Sequence, residues 1–253
     1  MDTQTLVFLI LALGAGAITK GATGLGLPLI ALPLLTAKVG LQQAIGIMMI
    51  PAMLANGYQV WAYRNARTLP GLAFLPGFVL GGGAGIGLGT WALDSLPERL
   101  LEIGLGVMLL IYVVLRLFKP DFTFSAEFAK RAGPFVGLAA GGLQGATGIS
   151  APIGVTFIHA LGLERSASVF AISVMFLGFT MVQYPAIILA GIYQAEWIWL
   201  GLFACLPIFL FLPLGEWIGR RVSPKVFDRL ILVFLFVLGV KMIAGAFFAR
   251  IPA

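Results

Sequence analysis

The chain has 253 residues, 60% of them hydrophobic and 10% charged, with a formal net charge of +6. Soluble domains are about 45–50% apolar and about 25% charged, so an ordinary soluble enzyme is excluded, as are a disordered chain and a collagen. The single cysteine, Cys205, excludes an internal disulfide framework. What remains is an all-α integral membrane protein; at roughly 20 apolar residues per span, the length holds about eight to ten membrane segments.

The first apolar block covers residues 4–36. Asp2 stands where a signal peptide would carry its basic region, so the segment is read as retained although Ala15-Gly16-Ala17 imitates a cleavage site. The block is interrupted by Gly21, Gly24, Pro28 and Pro33, residues that disfavour a continuous helix. Each side of the interruption is about 15 residues, less than a full span. The expectation is a hairpin of two half-helices or one discontinuous helix.

Block 41–61 follows, with Asn56 and Gln59 three apart on one helix face; such groups line a pore or join helices. Block 70–93 carries Gly81, Gly85 and Gly89, a small-xxx-small packing face that also permits a homodimer. Its Gly87–Ala92 run has the form of a nucleotide fingerprint, but no strand precedes it, which voids the match. Block 97–118 ends at the most polar stretch of the chain, 119–131. The expected organisation is a first transmembrane repeat over 1–118, a linker over 119–131 and a second repeat over 132–253.

The second half comprises blocks 132–160, 166–191, 196–219 and 226–248, and it opens as the first does. Displaced by 124 residues, Gly21, Ala22, Thr23, Gly24 and Pro28 fall on Gly145, Ala146, Thr147, Gly148 and Pro152 without a gap. In the same register Lys20 falls on Gln144, Asn56 on Thr180 and Gln59 on Gln183. This is the mark of an internal duplication. Further along, Trp197, Trp199 and Trp217 suit interfacial belts, and Glu216 is spaced to pair with Arg220.

The basic residues bear on topology. If each broken block returns to its own side, Arg64, Arg67, Arg116, Lys119, Lys130, Arg131, Arg165, Arg220, Arg221, Lys225 and Arg229 share one face of the membrane, as the positive-inside rule prefers. A single crossing by each block would separate the clusters at 116–131 and 220–229. Three net crossings per half make two inverted-topology repeats, each opening with a broken helix or hairpin followed by three spanning helices. The basic residues then serve orientation, and no nucleic-acid partner is expected.

Unwound backbone at membrane depth survives only within protein or facing a wet cavity. Half-helix ends there present free N–H groups and a positive dipole end, and paired breaks in two repeats point to a transporter's substrate site near the midplane. Lys20 lies in apolar surroundings, where an ammonium marks a pathway or a binding site unless it reaches back to the headgroups. The candidate substrate site therefore comprises Lys20 for charge and the backbone at Gly21, Gly24, Gly145 and Gly148. Thr23, Thr147 and Ser150 add hydroxyls, and Gln144, Asn56, Gln59 and Gln183 add amides. No metal ligand set surrounds the lone His159, no cofactor is called for, and no catalytic group of residues for an enzyme is visible. A channel, or an uptake carrier for small carboxylates, is the rival reading.

On the runs Gly14-Ala-Gly-Ala-Ile-Thr-Lys-Gly-Ala-Thr-Gly-Leu-Gly-Leu-Pro28 and Gly137-Leu-Ala-Ala-Gly-Gly-Leu-Gln-Gly-Ala-Thr-Gly-Ile-Ser-Ala-Pro152, the chain resembles the sulfite exporter TauE/SafE family of bacterial membrane transporters over nearly its whole length. The resemblance implies secondary transport of small anions such as sulfite, sulfoacetate and other organosulfonates across the inner membrane. Lys20 and the threonines replace the glycine or small residues of other members, which leaves the particular anion open.

Overall fold

A computed structural model describes residues 3–23, 27–118, 123–219, 221 and 224–248, and among them there are helices and no strand. In chain order these are α1 (Thr3–Thr23), α2 (Pro28–Val39), α3 (Leu41–Ala62), a 3-10 turn (Arg64–Thr68), α4 (Leu75–Ser95), α5 (Glu98–Phe118), α6 (Ala126–Thr147), α7 (Ala151–His159), α8 (Arg165–Leu189), α9 (Glu196–Gly219) and α10 (Pro224–Phe248). Each apolar block yields one helix, except the two interrupted blocks, which yield two each.

The interruptions differ from the expected pair of equal halves. The first block divides into helices of 21 and 12 residues, the second into helices of 22 and 9. At about 1.5 Å per residue, α1 and α6 are roughly 32 Å long, a full span. The helices run through their internal glycines because those glycines meet neighbouring helices. α6 stops only at Gly148, which is left-handed (φ 73°) and donates its N–H to the Gln144 carbonyl at 2.7 Å. Proline in the first turn opens both α2 and α7, where its missing N–H costs no hydrogen bond. Among the described residues, α1, α5, α8 and α9 are long and apolar enough to cross a membrane. α6, with Glu127, Lys130 and Arg131 in its first turns, is less apolar at similar length.

The helices group into two compact units, and each unit draws on both halves of the sequence. The first comprises Met1–Met48, Leu96–Lys119 and Glu196–Ala253; the second comprises Met49–Ser95 and Pro120–Ala195. The division falls inside α3, two residues before Pro51.

In the first unit α1 and α9 run parallel in backbone contact. A Cβ on Gly14 would stand 3.0 Å from the Phe211 ring, one on Gly21 would strike the Leu212 carbonyl, and one on Gly215 the Ile18 carbonyl. α5 and α10 cross antiparallel. A Cβ on Gly106 would lie 3.0 Å from the Gly239 carbonyl, and one on Gly239 would lie 3.0 Å from the Gly106 carbonyl. Trp197 is buried against Gly46, whose bare Cα makes room for its ring. This corrects the interfacial reading for Trp197, while Trp199 and Trp217 are exposed. The Arg221 guanidinium stands 3.8 Å over the Trp217 ring, and the expected partner of Glu216, Arg220, lies outside the described residues.

The turn between α2 and α3 is held from α5. Gly40 has φ 82°, and an added Cβ would stand 2.5 Å from the Glu98 carboxylate. Glu98 Oε1 accepts the N–H of Leu41, the first residue of α3, at 2.9 Å. That N–H has no acceptor within its own helix, so the carboxylate caps α3. Loss of such a cap costs about 1 kcal/mol. Glu98→Ala is expected to lower the thermal midpoint of the detergent-solubilised protein by a few degrees, with Glu98→Gln losing less; an unchanged midpoint in the alanine protein would remove the capping role.

In the second unit α4 and α6 run parallel with glycine against backbone along their whole contact. Gly81, Gly85 and Gly89 face the carbonyls of Pro134, Leu138 and Gly142, and Gly137 and Gly141 face those of Phe78 and Gly82. The glycine face read from the sequence is thus occupied within the chain, and nothing in it is left over for a homodimer. On α4, Gly82 admits the Phe179 ring of α8, and Phe78 stacks on Phe157 at 5.8 Å and on Phe179 at 5.9 Å. α6 starts within the stretch read as linker. The Ser125 hydroxyl accepts the Phe128 N–H at 3.2 Å, and Glu127 pairs with Arg131 one turn on at 2.6 Å. The other side of α4 turns Leu80, Leu88 and Trp91 outward, a surface suited to lipid and not to water.

Candidate functional site

Lys20 sits one turn from the end of α1 and is 1% exposed. An ammonium reaching for headgroups would show its tip, so protein encloses this side chain along its length. Gly21, beside it, is fixed by the α1–α9 crossing: its Cβ position is filled by the Leu212 carbonyl, and the Glu216 N–H lies 2.8 Å away. Gly24 and the side chain of Thr23 lie outside the described residues.

The second unit repeats that crossing. Gly145 packs on α4 with its Cβ position 2.8 Å from the Thr90 nitrogen and 2.9 Å from the Gly89 Cα. Thr90 thus holds the place beside Gly145 that Glu216 holds beside Gly21. Thr90 is buried, but Glu216 is exposed.

Around Gly145 the expected polar residues come together in part. Gln144 and Gln183 are both buried and mutually bonded. Gln144 Nε2 donates to Gln183 Oε1 at 3.1 Å. Gln183 Nε2 in turn donates to the Gln144 carbonyl at 2.9 Å and approaches the Gly145 carbonyl at 3.5 Å. This ties α8 to the last turn of α6. Ser150, in the turn leading to α7, is fully buried, and its hydroxyl has no partner among the described residues. The same holds for Thr90 Oγ1 and for Gln144 Oε1.

Other expected residues are engaged by the fold. Thr147 Oγ1 donates to the Leu143 carbonyl at 2.7 Å and lies 3.4 Å from the Ile149 N–H, so its hydroxyl closes the end of α6. Gly148 supplies the left-handed turn. Asn56 is buried and donates to the Ala52 carbonyl at 2.8 Å, and Thr180 likewise bonds its own helix at Phe176. Gln59 Oε1 accepts from the Ser173 hydroxyl at 2.9 Å, so Gln59 joins α3 to α8. Ser173 was not singled out in the sequence, although Ser173, Thr180 and Gln183 form one stripe at helical spacing. Thr90 was also overlooked; its signal was a hydroxyl directly after the last glycine of a packing face. Among the described residues no group of three or more His, Cys, Asp or Glu side chains is placed to hold a metal.

No curated protein and no solved structure matches the chain. The family model for the sulfite exporter TauE/SafE matches residues 8–242, from the first turns of α1 into α10. A match over nearly the whole chain places this protein in the sulfite exporter TauE/SafE family of membrane transporters for sulfite-type anions, and its long apolar helices agree with that.

Proposed function

We propose that the protein is a multi-pass secondary transporter of the bacterial inner membrane that carries sulfite, sulfoacetate or a related organosulfonate. The observation that carries this reading, beyond family membership, is the enclosed Lys20 one turn from the end of an apolar helix. An ammonium inside such a protein marks a pathway or a binding site, and the sulfur oxyanions of this family supply an anion for it. Lys20 and the Gly21 backbone are the candidate ligands within the first unit. Gln144, Gly145, Ser150 and Gln183 are those within the second.

The inverted-repeat reading is supported by two features. The helices recur at nearly constant displacement, so that α1, α2, α3, α4 and α5 correspond to α6, α7, α8, α9 and α10. The corresponding helices α5 and α10 meet antiparallel through reciprocal glycine contacts, as elements lying on a two-fold axis in the membrane plane do. Both termini then share the outer side.

Reconstitution in proteoliposomes tests the reading. Sulfite efflux is expected to saturate and to be accelerated by sulfite or an organosulfonate on the opposite side. A non-saturating conductance would make the protein a channel, and absence of any sulfite-dependent flux would remove the proposal.

A further inference from the structure

The hydrogen bonds of the second unit restrict what a ligand there offers. Carbonyl oxygens of the backbone only accept. Two of them, those of Gln144 and Gly145, receive Gln183 Nε2 at 2.9 and 3.5 Å, which fixes the orientation of the Gln183 amide. Gln183 Oε1 therefore turns to Gln144 and requires a donor. Gln144 Nε2 is that donor at 3.1 Å, so the Gln144 amide is fixed as well. Reversing either amide would set oxygen against oxygen. The chain of bonds ends on Gln144 Oε1, an acceptor buried at 2% residue exposure with no donor among the described residues. Two more buried oxygens of this unit, Ser150 Oγ and Thr90 Oγ1, also lack partners among those residues, and a hydroxyl gives or takes a proton as the ligand demands.

We infer that this site recognises an anion that keeps an O–H of its own, which it donates to Gln144 Oε1: the hydrogen form of a sulfur oxyanion, or a hydroxyalkyl sulfonate. The inference rests on the transport reading above and names the substrate class within it. A fully deprotonated oxyanion brings acceptors only and leaves the glutamine oxygen buried and unmatched. A site built around a substrate hydroxyl discriminates strongly against the analogue that lacks it.

The test compares 2-hydroxyethanesulfonate with ethanesulfonate as inhibitors of sulfite flux in proteoliposomes, and as ligands of the purified protein by calorimetry. The hydroxylated anion is expected to bind roughly tenfold more tightly, and Gln144→Met is expected to erase that gap. Equal affinity of the two sulfonates for a protein that still carries sulfite overturns the inference and leaves the transport reading standing; so does a gap that survives in Gln144→Met. If the methionine variant does not fold, the comparison on the unaltered protein decides alone. Failure of sulfite and both sulfonates to bind removes the transport reading itself. A thermal stabilisation by sodium over choline, without any anion and lost in Gln144→Met, assigns the oxygen to a cation and overturns the inference.

Discussion

Lys20→Gln is expected to reduce sulfite flux at least tenfold. A hydrogen bond to a charged group is worth about 1.5–3 kcal/mol, which corresponds to roughly 10- to 150-fold in affinity at 1.4 kcal/mol per decade. Glutamine is already the residue at the repeat-related position, Gln144, so the substitution fits the helix that the repeat builds. Flux preserved in Lys20→Gln would mean that Lys20 takes no part in transport. Measuring flux and stability on the same preparation separates a transport role from a purely structural one.

The second large effect is structural. Gly85→Ala and Gly141→Ala are each expected to cost about 3 kcal/mol, a fall of roughly 6–12 °C in the thermal midpoint. At both positions the added methyl meets a backbone carbonyl, of Leu138 and of Gly82 respectively. A carbonyl cannot rotate away as a side chain does, so the helices must separate, and packing along the α4–α6 crossing is lost. Gly87→Ala is the internal control, since nothing lies within 4 Å of its Cβ position. There the substitution only improves helix propensity, by about 1 kcal/mol at most. Equal midpoints for Gly85→Ala and Gly87→Ala would show that α4 and α6 do not meet as described. Because Gly145 and Thr90 lie at the end of the same crossing, Gly85→Ala is also expected to impair transport in whatever protein remains folded.

Much of this was legible in the residue order because it depends on local pattern. Apolar runs specified the helices, since a run of that length and composition admits no other structure in a bilayer. The shared Gly-Ala-Thr-Gly and its following proline located both interruptions, because glycine and proline act on the backbone wherever they stand. The face of Gly81, Gly85 and Gly89 announced close packing, though not its partner. The lengths on either side of the breaks were misjudged. Gly21 was read as part of the interruption, whereas in place it lies against the Leu212 carbonyl and α1 passes through it to Thr23.

The sequence by itself determined the class of protein, the positions of the helices and the glycine and lysine chemistry offered near the two breaks, since these follow from solvent transfer and backbone freedom residue by residue. Only the tertiary structure decided which helices belong together. It draws each compact unit from both halves of the chain, sets Glu98 on the first turn of α3, buries Trp197 against Gly46, and brings Gln183 to the Gln144 carbonyl. Such pairings depend on approach between segments as much as 197 residues apart, as for Ile18 and Gly215, and no local periodicity carries that information.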